Sequence, residues 1–138
     1  MSLIKGINHV TFSVSSLERS FLFYSKVLDF KPKLRWSKGA YFLAGSLWVC
    51  IIEEENRLIQ PRSDYTHMAF SVSDKSFVEI TKRLGELKIP QWQENTSEGA
   101  SFYFLDPDNH KLEIHVGSLQ SRLEEAKKDP WDEEMVFF

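Results

Sequence analysis

Three side chains in this chain of 138 residues have the chemistry of a metal-ligand set. His9 opens the stretch HVTFSVSS, and His67 opens the nearly identical stretch HMAFSVSD. Glu113 lies between Leu112 and Ile114 in an apolar segment, where a carboxylate is costly unless it is paired or bound to a metal. Two imidazoles and one carboxylate suit a divalent first-row metal and leave positions open for a substrate. The incomplete set predicts a catalytic metal site rather than a structural one.

The two histidines belong to an internal repeat of about half the chain length. The motif FSVS follows each histidine at the same distance, and the alternation of polar and apolar residues predicts that each histidine opens a β-strand. A histidine in such a place normally makes only a local hydrogen bond. Its recurrence makes a pair of ligands an equally good explanation, because two equivalent units side by side can bring both imidazoles to one point. His110 and His115 are predicted to be non-ligands, and His115 is expected to support the site or the core.

Each half of the chain is predicted to have the order βαβββ, which makes the fold α+β. The first repeat covers about residues 6–52 and the second about 64–117. The polar connector EEENRLIQPRSD joins them, and a helix with an acidic, aromatic tail follows over 118–138. A chain of this length is within the usual size of one domain.

The helices and strands of both repeats can be placed from their patterns. Ser15 and Glu18 have the spacing of a capping box for a helix over 16–28, and Asp74 is predicted to cap the second helix. The buried stripe of the second helix is predicted to be Phe77, Ile80, Leu84 and Leu87. The later strands are predicted at 31–36, 40–44, 47–52, 91–95, 101–105 and 111–116.

Composition excludes several classes of function. A net charge of -3 with interspersed signs offers no basic face for a nucleic acid. No apolar run reaches the roughly 20 residues of a membrane helix, and the amino terminus has no leader pattern, so a cytoplasmic protein without membrane partners is expected. The single cysteine, Cys50, lies in the apolar run LWVCII and is expected to be a buried, inert thiol.

Together these motifs resemble the fosfomycin-modifying glutathione transferases of the vicinal oxygen chelate superfamily. The resemblance runs from INHVTFSVSSLERSFLFYSKVLDF through GAYFLAGSLWVC and DYTHMAF to SEGASFYFLDPDNHKLEIHVGSLQSRL. It implies a fold of two tandem βαβββ modules that pair between the subunits of a homodimer. His9 of one subunit would then join His67 and Glu113 of the other around Mn²⁺. The implied activity is opening of the oxirane ring of fosfomycin by addition of glutathione, which gives resistance to that antibiotic.

The same resemblance implies roles for other side chains. Thr11, Tyr41 and Arg122 would act in catalysis, with Tyr41 near the incoming thiol. Residues implied to contact the substrates are Thr11, Trp48, Cys50, Gln93, Ser97, Tyr103 and Arg122. Residues implied to supply oxygens to an activating K⁺ are Asn95, Ser97, Glu98, Gly99 and Ser101. Gln93 departs from the family, which usually has a lysine there, and this change is expected to weaken anion binding or alter the preferred substrate.

Other activities of the same fold remain alternatives. A hydrolase of this group needs a carboxylate base near Tyr41, and the run SKGAYFLAG contains no acid. A branch that uses bacillithiol or cysteine with Mg²⁺ matches GAYFLAGSLWVC less well. A drug-binding protein without metal would not need His9, His67 and Glu113. A glyoxalase or a ring-cleaving dioxygenase would not need Arg122 or the cation loop.

Overall fold

Two four-stranded sheets form the framework of the chain. The computed structural model describes residues 2–55, 60 and 62–138, so residues 56–59 and 61 of the predicted connector lie outside the described residues. The first half contains β1 (His9–Val14), α1 (Leu17–Leu22) continued by a π-helical turn (Phe23–Val27), β2 (Lys31–Trp36), β3 (Gly39–Ala44) and β4 (Leu47–Glu53). The second half contains β5 (Met68–Ser71), α2 (Asp74–Glu86), β6 (Gln91–Gln93), β7 (Ala100–Leu105) and β8 (Lys111–Val116), and α3 (Leu119–Lys128) follows.

The strand orders confirm the predicted α+β fold of two βαβββ modules. The first sheet has the order β1-β4-β3-β2 and the second has the order β5-β8-β7-β6. In each module the first strand runs parallel to the last, and the other neighbours are antiparallel. The two opening strands therefore occupy equivalent edges of equivalent sheets. In the described ranges, no helix is long and apolar enough to cross a membrane.

Both predicted helix caps are one residue out of place. Ser16 caps α1 and accepts a hydrogen bond from the Arg19 backbone N–H at 3.3 Å, so the predicted capping box of Ser15 and Glu18 is wrong. Ser73 caps α2, and Asp74 is already the first helical residue. Both caps have extended backbone conformations, which mark the last residue before a helix.

The two modules share one apolar core. Phe30 and Phe70 meet across the modules with their ring centroids 5.2 Å apart. Leu84 of α2 is fully buried as predicted, but Leu87 is 53% exposed, so its predicted place in the buried stripe is wrong. The helix ends at Glu86, and the chain turns through a left-handed residue before Ile89 packs on the core in place of Leu87.

A polar turn over residues 106–110 fastens the second module to the first. Both carboxylate oxygens of Asp108 accept from the Ser15 backbone N–H at 3.1 Å, and the Tyr24 hydroxyl donates to Asp106 at 2.5 Å. Asp106 and Asp108 are buried. Buried carboxylates are tolerated only where their hydrogen bonds are made, so this turn stabilises the contact between modules.

We expect Asp108→Ala to lower the free energy of unfolding by about 2 kcal/mol, because it leaves the Ser15 N–H without its acceptor. Chemical denaturation would measure the change. Glu133→Ala is a suitable control, since it removes an exposed carboxylate from the tail. Equal free energies of unfolding for the two variants would contradict this account of the turn.

Candidate metal and substrate site

His67 and Glu113 form a close pair on the second sheet. His67 immediately precedes β5, and Glu113 lies in the middle of β8, the neighbouring strand. Their Nε2 and Oε1 atoms are 3.0 Å apart, and the two side chains are 19% and 9% exposed. The sequence predicted both residues as ligands, and the structure brings these two together.

The hydrogen bonds of His67 fix which of its nitrogens faces the carboxylate. Its Nδ1 lies 2.7 Å from the Tyr65 carbonyl oxygen, which can only accept, so Nδ1 carries the hydrogen. In the neutral ring, Nε2 is then an acceptor that points at a carboxylate oxygen, which is also an acceptor. Two acceptors at this distance need a cation between them, either a proton or a metal ion.

An aromatic wall surrounds this pair. The rings of Tyr65, Trp92 and Tyr103 have centroids 4.8, 5.2 and 6.1 Å from the His67 ring. Trp92 is held by a hydrogen bond from its Nε1 to the Leu112 carbonyl oxygen at 3.0 Å. The amide of Gln93 donates to the Tyr65 hydroxyl at 3.1 Å. Gln93 and Tyr103, both predicted to contact substrate, therefore lie beside the pair.

A second cluster lies on one face of the first sheet. The strand register places Thr11, Tyr41 and Cys50 side by side on β1, β3 and β4. His9 lies two residues before Thr11 on the same face and pairs with Trp48, with their ring centroids 4.3 Å apart. The buried Nε1–H of Trp48 has no hydrogen-bond partner among the described residues, which is unusual for a donor in a folded protein. Five residues predicted from the sequence thus share one surface.

Cys50 is not an activated nucleophile. Its side chain is buried, and burial raises the pKa of the thiol above its usual range, an effect that the hydrogen bond with the Thr11 side chain only partly offsets. The thiol is therefore protonated at neutral pH, and the reactive form of a cysteine is the thiolate. Cys50 therefore supplies no thiolate to this cluster.

His9 does not join the pair of His67 and Glu113 within one chain. The described residues contain no group of three His, Cys, Asp or Glu side chains that could hold a metal ion. His9 is exposed, and its Nδ1 lies 2.8 Å from the Asn8 side-chain oxygen, so its Nε2 is the nitrogen that can bind a metal. Within the described part of one chain, His9 therefore lies apart from the pair.

The loop predicted to bind K⁺ is closed by its own hydrogen bonds. The Asn95 side chain donates to the Gly99 carbonyl oxygen at 2.9 Å and accepts from the Ser97 hydroxyl at 2.9 Å. β6 ends at Gln93, so the predicted strand over 91–95 is two residues too long and Asn95 belongs to the loop. Ser101 lies on β7, where its hydroxyl donates to Glu113 at 2.8 Å.

Arg122 projects from α3 onto this loop. Its Nε and Nη2 lie 3.4 and 3.3 Å from the side-chain and backbone oxygens of Glu98. The helix begins with a capping box of Ser118 and Ser121, which fixes the turn that carries Arg122. An open cavity of about 670 Å³ adjoins these residues. A guanidinium in that position can bind an anion with two parallel hydrogen bonds.

A family model and several known proteins match this chain over most of its length. The model of the glyoxalase/bleomycin resistance protein/dioxygenase superfamily matches residues 6–114. The chain belongs to this superfamily. Glutathione transferase FosA of Serratia marcescens is 45% identical over 131 residues, which cover 94% of this chain and 93% of FosA. Metallothiol transferase FosB of Staphylococcus saprophyticus is 37% identical over 145 residues, which cover 95% of this chain and 94% of FosB.

A solved structure shares the fold at similar length. It is a variant of fosfomycin resistance protein FosX from Listeria monocytogenes, in complex with Mn(II) and 1S,2S-dihydroxypropylphosphonic acid. The TM-score is 0.75 at 32% identity, over 89% of this chain and 98% of FosX. Within the superfamily, this chain therefore lies among the thiol transferases and fosfomycin resistance proteins.

Two aromatic residues that the sequence did not single out also lie beside His67. Tyr65 and Trp92 pack against His67, and neither was among the predicted site residues. Aromatic residues usually serve a core, so their type alone gives no signal. The position of Tyr65 two residues before a candidate ligand is the one feature that could have marked it.

Proposed function

We propose that this protein is a metal-dependent glutathione transferase that opens the oxirane ring of fosfomycin by thiol addition and so gives resistance to it. The observation that carries the proposal is the geometry of His67 and Glu113, whose Nε2 and Oε1 acceptors face each other 3.0 Å apart, as two ligands of one metal ion would. The similarity to FosA over nearly the whole chain supports the choice of thiol, and the phosphonate in the FosX complex supports the choice of substrate.

The proposed metal is Mn²⁺, held by His67 and Glu113 of one copy and His9 of another. Imidazole nitrogens and a carboxylate oxygen are suitable ligands, and both histidines hold a hydrogen on Nδ1 that leaves Nε2 for the metal. The Mn(II) in the FosX complex supports this assignment. When bound, Mn²⁺ would supply Lewis acid chemistry to the oxirane oxygen and the phosphonate.

The proposed active unit is a homodimer, because the described residues of one chain do not bring three ligands together. The cluster of His9, Thr11 and Tyr41 would face the pair of His67 and Glu113 from a second chain. Two equivalent sites would then form in a dimer with twofold symmetry. Each site would have one wall from the first sheet of one chain and one wall from the second sheet of the other.

The side chains around the proposed metal would bind and orient the two substrates. Arg122 would hold the phosphonate together with Ser97, Thr11 and Tyr103. Tyr41 would donate a hydrogen bond to the glutathione sulfur as it approaches. Orientation of two reactants in one site, with charge stabilisation, would then supply most of the rate acceleration.

The loop over residues 95–101 is proposed to bind an activating K⁺. The Gly99 carbonyl and the Asn95 and Ser97 side chains are already gathered in one place, and oxygen atoms are the ligands that hard cations prefer. A cation there would lie next to the Glu98 contact of Arg122.

A hydrolase is the second candidate, because the diol in the FosX complex is what addition of water to the oxirane would give. β3 carries no acid, and the acid of β4, Glu53, accepts from the Leu17 backbone N–H at 2.7 Å. The strand register places Glu53 on the opposite face from Tyr41 and Cys50. This placement favours the transferase.

Phosphorus NMR of the purified protein with fosfomycin would test the proposal. A new phosphonate resonance that requires both glutathione and Mn²⁺, and that grows with added K⁺, is expected. A product without thiol would show hydrolysis, and a product only with bacillithiol or cysteine would show the specificity suggested by the similarity to FosB. No product despite Mn²⁺ binding would overturn fosfomycin as the substrate.

We expect Gln93→Lys to raise kcat/KM for fosfomycin about tenfold, because an ammonium binds a dianion more strongly than an amide does. Initial rates at low fosfomycin concentration would measure the change. Gln91→Lys is the matched control, since it adds the same charge to an exposed position of the same short strand. An equal rise in kcat/KM for both variants would reflect only a general attraction of the anion and would contradict a specific role for position 93.

A further inference from the structure

His115 is connected to Glu113 through the Ser101 hydroxyl. The Nδ1 atom of His115 lies 2.6 Å from Ser101 Oγ, and that oxygen lies 2.8 Å from Glu113 Oε2. The direct distance from Nδ1 to Oε2 is 3.6 Å, which is too long for a hydrogen bond. Ser101 is therefore the bridge between the imidazole and the carboxylate.

The direction of both hydrogen bonds follows from the groups involved. An ionised carboxylate only accepts, so the single hydroxyl hydrogen of Ser101 is donated to Glu113. Ser101 Oγ must then accept from His115, which places a hydrogen on Nδ1 of that ring. With Oε2 held in this way, the other carboxylate oxygen of Glu113 faces His67.

The His115 ring lies in a space that two glycines leave open. A Cβ atom on Gly117 would come within 2.6 Å of Nε2, and one on Gly99 would come within 3.0 Å of Cε1. Gly99 and Gly117 have φ values of +78° and +150°, in the region that favours glycine. Gly99 belongs to the loop beside Glu113, and Gly117 precedes the helix that carries Arg122. The backbone on both sides is thus shaped to admit this ring.

We infer that His115 is a positioning residue that acts through Ser101 to hold Glu113 in the orientation required of a metal ligand. This inference rests on the proposed function, since it gives Glu113 the role of a ligand. Removing a residue that orients a metal ligand commonly lowers the metal affinity by roughly 10–100-fold. A histidine that only filled space would not affect the affinity in this way.

Mn²⁺ titrations followed by electron paramagnetic resonance would test the inference. We expect His115→Leu to bind Mn²⁺ about tenfold more weakly than the wild type, and His115→Asn to stay within about threefold, because an amide can still donate to Ser101. Ser101→Ala should show a similar loss, and the double variant His115→Leu/Ser101→Ala should bind no more weakly than either single variant. Equal affinities of His115→Leu and the wild type would overturn the inference.

The tautomer of His115 gives a second readout that needs no metal. In ¹⁵N NMR spectra of the metal-depleted protein, His115 should show a protonated Nδ1, and Ser101→Ala should shift the ring towards the other tautomer. An unchanged tautomer in Ser101→Ala would overturn the bridge even if His115→Leu failed to fold. A second outcome separates the inference from the proposed function. If the wild type binds no Mn²⁺ but Ser101→Ala still shifts the tautomer, the proposed function and the positioning role are both refuted, while the hydrogen bonds of the bridge are confirmed.

Discussion

Glu113→Gln should abolish the proposed transferase activity and weaken Mn²⁺ binding by at least about 100-fold, while the metal-free protein becomes no less stable. The loss of binding follows because the substitution removes the charged member of a set of only three ligands. Even the loss of a residue that only orients a ligand lowers metal affinity by roughly 10–100-fold. The activity should fall with the metal, since the proposed chemistry depends on its charge. Calorimetric titration with Mn²⁺ and the phosphorus NMR assay would measure the two losses.

The metal-free Glu113→Gln protein should be more stable than the metal-free wild type, although it binds Mn²⁺ more weakly. In the wild type, Nε2 of His67 and Oε1 of Glu113 are two acceptors 3.0 Å apart. A glutamine amide can donate to His67 and still accept from Ser101. At a pH where the His67 ring is neutral and no proton bridges the pair, the free energy of unfolding should therefore rise by about 1 kcal/mol. Glu94→Gln is the matched control, because it removes the same charge from an exposed position nearby. A less stable metal-free Glu113→Gln protein would contradict the description of the pair as two acceptors.

This pair shows how far the sequence alone could predict the site. A carboxylate in the apolar run of β8 needs a partner, and the repeated histidine was the best candidate for one. Both clues depend on residue type within a single strand, which a sequence displays directly. The hydrogen bond from Nδ1 of His67 to the Tyr65 carbonyl depends on backbone geometry, so the sequence could not reveal which nitrogen faces Glu113.

The errors in the predicted fold have long-range causes. The strands were predicted well because alternation and turn residues are local signals. The cap of α1 was misplaced because Ser15 directs its backbone N–H to Asp108, a residue of the other module. Leu87 was misplaced because α2 ends earlier than its apolar pattern does, and Ile89 reaches the core after the turn. No local pattern contains this information.

The place of His9 is the part of the proposed site that the described residues of one chain leave open. Its strand was predicted correctly, and it lies on the same face as Thr11, Tyr41 and Trp48. The described residues of one chain do not group it with His67 and Glu113. The prediction that His9 is a ligand therefore stands or falls with the predicted exchange between subunits.

Mixing two inactive variants should restore activity if the sites are shared between subunits. We expect His9→Ala and Glu113→Gln each to be inactive alone. In a mixed dimer, the intact His9 of one chain meets the intact His67 and Glu113 of the other, so one site in two is wild type. Random pairing makes about half of the dimers mixed, which predicts about one quarter of the wild-type activity. Co-expression followed by the phosphorus NMR assay would measure it.

The matched control for this experiment is a mixture of His67→Ala with Glu113→Gln. These two residues lie 3.0 Å apart in one chain, so every site in a mixed dimer keeps one of the two defects and no activity should return. Recovery in the first mixture alone would assign His9 to the opposite subunit. No recovery in either mixture, with dimers verified by light scattering, would mean that His9 acts within its own chain or is not a ligand. Because the control changes the same carboxylate and the same number of side chains, only the location of the histidine distinguishes the two mixtures.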